Sequence, residues 1–230
     1  MLLNETQQAI QGSVRAFAQE RIRPKARDFE KAGGYPKELF EELAALGLMG
    51  MVVPEEMGGT GADTVSYAVS LIELAAADGP LSTIVSVQNS LVASGLVRSG
   101  SPAQRERFLP GLVSGKIIGA FALTEADAGS DAGAIRSRAT RQGNGYVLNG
   151  TKQFISSGKT ASLTLTFAVT DPDKGKRGIS AFLIPTDRPG YHVDKVEHKL
   201  GQAASDTCAL RFDNLALEGD LRLGEEGQGY

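Results

Sequence analysis

The stretch "ALTEADAGSD", residues 122–131, gathers a large share of the chain's candidate chemistry. Leu123 and Thr124 fit the end of a strand, and Ala128, Gly129 and Ser130 then leave the main chain almost bare. Such a bend exposes unobstructed N–H groups beside two hydroxyls, Thr124 and Ser130, and three carboxylates, Glu125, Asp127 and Asp131. Phosphate binding is one use for donors of this kind, but a phosphate loop follows a strand and opens a helix in a βαβ unit. No G-x-G-x-x-G or Walker pattern occurs anywhere in the chain. The plainer reading is a β-turn closed by a Ser/Asp cap. Glu125, at a strand end, reads as a structural hydrogen-bond acceptor rather than a general base. Asp131 is expected to cap the next turn and Asp127 to be solvated. His192 and His198 lie too far from Cys208 for a zinc pattern, so no metal site is expected.

The elements that must carry this bend fall into two halves. Residues 1–115 read as helices. Asn4 with Gln7 makes a capping pair, Ile10, Val14 and Phe17 share a face, and Pro24 is expected to end the run. Pro36 starts a second helix with Leu39, Leu43 and Leu46 as its stripe and Gly47 as its stop. Asp63 caps a third, terminated by Gly79-Pro80, and a fourth runs from about Leu81 to Ser99. Ser101-Pro102-Ala103-Gln104 opens a fifth. From Lys116 the pattern changes to short runs rich in β-branched and aromatic residues. Turn signals separate them at Gly143-Asn144-Gly145, Asn149-Gly150, Asp171-Pro172-Asp173 and Pro189-Gly190. The fold class expected is α+β: an N-terminal all-α bundle over 1–115, then an antiparallel β-barrel domain over 116–230.

Whole-chain properties narrow the function classes. A net charge of −3 leaves no electrostatic footprint for nucleic acid. The apolar runs are far shorter than the ~20 residues of a membrane span, and no secretory signal is read at the N-terminus. A single cysteine forms no internal disulfide and suits a reducing cytoplasm.

Four separated stretches, in order, carry a family resemblance. "ALTEADAGSDAGA" (122–134) resembles the signature of the acyl-CoA dehydrogenase family. "VPEEMGGTGAD" (53–63), "LNGTKQFISSG" (148–158) and "HKLGQAASDTCALRFDN" (198–214) resemble other segments of it. The resemblance implies a flavoenzyme of fatty-acid β-oxidation type, with a helical domain, a middle β-barrel and a C-terminal helical bundle, and FAD at the barrel face. Phe121 to Ser130 would run along the isoalloxazine, with Leu123 and Thr124 at the ring's polar edge. Gly129 and Ser130 would meet the pyrophosphate, and Ser130 would also touch the CoA arm of the substrate. In Phe154-Ile155-Ser156, the ring would cover the flavin face away from substrate and the hydroxyl would approach N5. Val87 and Leu91, on a helix resembling the one that lines the acyl pocket, would be wall residues. Small residues let a main chain approach a flat ring or a diphosphate closely, and fixed donors stabilise the reduced ring.

The reaction implied is α,β-dehydrogenation of an acyl-CoA thioester to trans-2-enoyl-CoA, with electrons passing to electron-transfer flavoprotein or a similar acceptor. A homotetramer is implied for the full-length protein. Two positions depart from the pattern: Phe154 stands where Trp is common, and Ala203 where Arg often follows Gly-Gln. The family's C-terminal bundle, which carries the usual catalytic glutamate, is expected beyond Tyr230. No catalytic residue is therefore assigned here, and Glu55, Glu56 and Glu125 are not promoted to the role. Rival readings are a flavin monooxygenase or nitroalkane oxidase on the same fold, a non-catalytic flavin- or CoA-binding subunit that needs a partner chain, and a degenerate relative without ligand.

Overall fold

The computed structural model describes residues 2–230. In space they divide into two compact units. One is Met1–Ser94 with Leu109–Lys116 and His198–Ser205; the other is Gly95–Phe108 with Ile117–Glu197 and Asp206–Tyr230.

The first unit is helical. Helix α1, Glu5–Phe17, starts on the expected box: Gln7 N–H donates to Asn4 Oδ1 at 2.8 Å and Asn4 N–H to Gln7 Oε1 at 3.1 Å. Pro24 does not end the run. The chain stays helical through a π turn at Ala18–Ile22 and a 3₁₀ turn at Arg23–Lys25 into α2, Ala26–Ala32, and stops at Gly33 with φ 66°. Proline lacks an N–H and its ring crowds the carbonyl four residues back. The widened turn, in which Arg23 N–H reaches back five residues to Ala18 O, accommodates both defects.

Helix α3, Lys37–Ala45, follows Pro36, and Gly47 (φ 77°) reverses the chain after it. Asp63 caps α4, Thr64–Ala77, by accepting the N–H groups of Val65 and Ser66 at 2.8 and 3.0 Å; its Oδ1 also accepts from Gln7 Nε2. Asp63→Ala is expected to lower unfolding free energy by about 1–2 kcal/mol in a urea titration. A loss below a few tenths would show that the cap is replaced locally by water.

Helix α5, Gly79–Ser86, passes through a π segment at Val87–Ala93 into α6, Ser94–Ser99. Two fully buried amides sit on that segment. Asn89 accepts Met51 N–H at 2.7 Å and donates to Leu48 and Val85 carbonyls, while Gln88 donates to Leu112 O. They satisfy loop and helix-end main-chain groups that apolar neighbours would strand. Residues 95–108 belong to the second unit, so α6 lies there from its second residue and α7, Pro102–Val113, begins there, opening with reciprocal bonds between Ser101 and Gln104.

The second unit holds the sheet. Its strands are β1 (Gly119–Ala122), β2 (Arg138–Gln142), β3 (Gly145–Ser156), β4 (Leu163–Val169), β5 (Ile179–Pro185), β6 (Tyr191–Val196), β7 (Thr207–Leu217) and β8 (Arg222–Leu223). They hydrogen-bond in the order β6-β7-β3-β2-β4-β5-β8, with β1 on β4. Most pairings are antiparallel, but β1 and β2 each run parallel to β4. β5 takes one edge of β4 along its length, so β1 and β2 share the other: β1 against Leu163–Thr166, β2 at Val169. The chain therefore leaves the sheet after Ala122 and re-enters beside its exit at Arg138.

Asn149-Gly150 makes no turn. β3 runs through it with a bulge against β7, and Gly150 has φ 149°. A Cβ there would lie 2.3 Å from Ser137 Oγ, so close strand approach rather than reversal demands the glycine.

Candidate functional site

The excursion from 123 to 137 is closed at its neck by a buried ion pair. Lys152, from β3, has a side chain 0% exposed and donates to Leu123 O at 2.9 Å and Glu125 Oε1 at 2.8 Å. The Glu125 carboxylate also accepts the N–H groups of Arg136 (2.6 Å) and Ser137 (3.0 Å), at the far end of the excursion. One side chain thus ties exit to re-entry. Burial pushes the Glu125 carboxyl up, but the Lys152 hydrogen bond and charge, with the bonds from Ser137 and Arg136, outweigh it and hold the group below its ordinary value. Burial draws Lys152 below its usual range, with Glu125 opposing. Glu125 is a structural acceptor.

Within the neck, Glu125 and Ala128 exchange main-chain hydrogen bonds at 3.1 Å, making a tight reversal. Its underside is apolar: Ala128 and Ile135 pack with Ile179, and Leu123, Phe167 and Val169 lean against them. The outer side, Gly129-Ser130-Asp131, is exposed. A Cβ added at Gly129 meets nothing within 4 Å. Among the described residues, no acceptor takes the main-chain N–H of Thr124, Gly129 or Ser130. Phe121 is half-buried with its ring 5.0 Å from that of Phe167.

β3 brings the second group of residues alongside. Gln153 N–H donates to Thr124 O at 2.8 Å, so Leu123 and Thr124 are held through both carbonyls by neighbouring β3 residues. The next residue, Phe154, sits in a bulge at φ 58° with 66% of its surface exposed. A large aromatic held in a left-handed conformation is a costly backbone state, and here its ring is also exposed. Ile155 is buried and Ser156 half-buried. Ser157 follows at φ 60°, its buried Oγ without a hydrogen-bond partner among the described residues.

Asp206 fixes this turn. Its carboxylate accepts the N–H groups of Lys159 and Thr160 and the Thr160 hydroxyl, and its carbonyl accepts Ser157 N–H. Cys208, beside it, is buried; burial and the Asp206 carboxylate push its thiol up to about 12, which leaves it inert packing.

Phe121, Leu123, Thr124, Gly129, Ser130, Phe154, Ile155 and Ser156 therefore all lie on the sheet unit, on the excursion and the strands at its neck. Val87 and Leu91 lie on the helical unit, half-buried and one turn apart on the π segment. Asp131 makes no side-chain cap; the turn after it closes through Ala134 N–H to Asp131 O, and the carboxylate lies 3.8 Å from Lys176 Nζ. A cap needs the side chain to accept a turn N–H, and the Asp131 carboxylate accepts none. Asp127 is exposed, 3.5 Å from an Arg136 nitrogen.

Lys152 was not among the residues singled out from sequence. A signal existed, because Tyr146, Leu148, Gly150 and Lys152 share one phase of the two-residue strand repeat, and Tyr146 and Leu148 are buried.

Two family models match the chain, one after the other in sequence. The family model described as acyl-CoA dehydrogenase, N-terminal domain, matches residues 4–116, and the one described as acyl-CoA dehydrogenase, middle domain, matches residues 120–215. An acyl-CoA dehydrogenase of Bacillus subtilis (strain 168) is 40% identical over 230 residues, 100% of this chain and 61% of that protein. A structure reported as the electron transferring flavoprotein of Acidaminococcus fermentans superposes with a TM-score of 0.94 at 35% identity, covering 100% of this chain and 60% of that one. A glutaryl-CoA dehydrogenase from Mycobacterium smegmatis in complex with FADH2 gives 0.91 at 37% identity, covering 98% and 57%. The chain belongs to the acyl-CoA dehydrogenase family, whose members are FAD-dependent oxidoreductases acting on CH–CH groups. It spans about three-fifths of the Bacillus subtilis relative's length.

The residues present fit a flavin nucleotide. The open space over Gly129 admits a diphosphate, the N–H groups that no protein acceptor takes are free to meet one, and the outward Phe154 ring offers an aromatic face.

Proposed function

We propose that this chain is the flavin-binding part of an acyl-CoA dehydrogenase that converts an acyl-CoA thioester to the trans-2-enoyl-CoA. The observation that carries the reading is the clasped excursion, with open space at Gly129 and unclaimed N–H groups at Thr124, Gly129 and Ser130. When bound, FAD supplies the acceptor for the two electrons and the β-hydrogen. Thr124 and Ser156 donate to the ring's polar edge and to the side near N5. Gly129 and Ser130 hold the pyrophosphate, Ser130 also meets the CoA arm, and Phe154 covers the ring face away from substrate. Val87 and Leu91 contribute to the acyl wall.

Removing the α-proton needs an available carboxylate. Glu125 is already taken by Lys152 and two N–H groups, and Glu55 and Glu56 are exposed on a short 3₁₀ turn of the helical unit. We place the base in the C-terminal bundle that the family resemblance implies, the electron acceptor in an electron-transfer flavoprotein, and the full-length assembly in a homotetramer.

The purified protein is expected to show the visible bands of oxidised flavin. Anaerobic acyl-CoA should bleach them when the C-terminal bundle is supplied. A colourless protein that takes up no FAD, with or without that bundle, would overturn the reading. Oxygen uptake coupled to substrate hydroxylation would reassign the reaction.

A further inference from the structure

We propose that Lys152 is a positioning residue that polarises the Leu123–Thr124 peptide and so raises the electron affinity of the flavin; the inference rests on the flavin reading given above. The Lys152 ammonium donates to Leu123 O at 2.9 Å. That oxygen belongs to the same peptide group as the Thr124 N–H. A charge-assisted bond to the carbonyl draws electron density toward oxygen and leaves the N–H a stronger donor, because bonds in a chain polarise one another.

The peptide also has little freedom to turn. Leu123 O is taken by Lys152, and Thr124 O accepts Gln153 N–H at 2.8 Å, both from adjacent residues of β3. The Thr124 N–H has no acceptor among the described residues. Lys152 itself never reaches the ligand surface, since its side chain is wholly buried. It acts through the peptide. Glu125, 2.8 Å from the ammonium, offsets part of the positive charge and sets how much of it the ring edge feels.

A clasp that merely holds the neck and a clasp that tunes a donor make different predictions. Negative charge accumulates on the flavin as it is reduced, so nearby positive charge favours the reduced form. Lys152→Met removes the cation and leaves the Glu125 carboxylate. Glu125→Gln removes the anion and leaves the cation. Lys152→Met should make the two-electron equilibrium about tenfold less favourable to reduced flavin, a fall of about 30 mV in midpoint potential, and Glu125→Gln should raise it by a similar amount.

The measurement is a dye-coupled reductive titration of the flavin-loaded protein and both variants, with dithionite as reductant. Potentials that stay unchanged in both flavin-loaded variants, or that move in the same direction, overturn the inference while leaving the flavin reading intact. Should Lys152→Met fail to fold, the sign in Glu125→Gln decides alone: a rise supports the inference, and a fall or no change ends it. If the unsubstituted protein takes up no flavin, the functional reading fails and this inference falls with it.

Discussion

Gly129→Leu is expected to strip the protein of FAD while leaving it folded. An added side chain at 129 meets nothing within 4 Å of its Cβ, and the backbone there is not in the left-handed region that glycine favours. The chain itself therefore tolerates the substitution. A diphosphate seated over Gly129 and Ser130 does not, because the leucine occupies the space through which its oxygens reach the main-chain N–H groups. Losing one or two bonds to a charged acceptor costs about 3 kcal/mol, which is about a 100-fold weaker dissociation constant. Fluorescence titration of the apoprotein with FAD measures the loss, and a urea midpoint close to that of the unsubstituted chain is the control. Equal FAD affinity in the two proteins would remove Gly129 from the site. Gly150 provides the contrast: its Cβ would strike Ser137 and its φ is positive, so substitution there damages the sheet instead.

Lys152→Ala should cost about 3–5 kcal/mol of unfolding free energy near neutral pH, since it leaves a buried carboxylate without its counter-charge. The pH dependence should change with it. In the unsubstituted protein Glu125 is held below its ordinary value, so its contribution is complete above the unfolded-state pKa of about 4.3. That contribution fades as pH falls through the depressed folded-state value. Without Lys152 the burial effect has less to oppose it, and the orphaned carboxylate gains a proton more readily than before. The gap between the two proteins is therefore expected to narrow in acid. Urea unfolding at pH 7 and pH 4 checks this. A constant gap would mean that Glu125 is not the group left exposed to the loss.

Much of the helical half of the sequence was legible because its signals are local. Asn4 with Gln7, Asp63, and Ser101-Pro102-Gln104 each lie within four residues of the N–H groups they serve, and each stands where the residue types predicted. Pro24 misled because a π turn is a rearrangement of neighbours, visible only once Arg23 is seen bonded to Ala18. In the sheet unit the short strands were readable, whereas the parallel pairing of β1 and β2 with β4 was not, since β1 and β4 are some forty residues apart in sequence. Asn149-Gly150 has turn composition, yet what it satisfies is the approach of Ser137 from another strand.

The candidate site was legible as a set of types and obscure as a mechanism of support. "ALTEADAGSD" announced a bare bend, but not that Glu125 would reach eleven residues forward to the N–H of Arg136. Phe154 stood out by its place in a matched segment. Its left-handed backbone and outward ring are properties of the bulge against β7, which no single residue type encodes.

The interleaving of the two units has a consequence for biosynthesis. The helical unit draws its last piece from His198–Ser205, more than eighty residues after Lys116 ends the piece before it. A ribosome adding about 5–20 residues per second needs on the order of 5–20 s to cover that interval. Throughout it the nascent helices stand without their closing segment, so a chaperone that shields unfinished chains meets this polypeptide as an open clasp, and a stop codon placed at the apparent seam near 116 would release it in that condition.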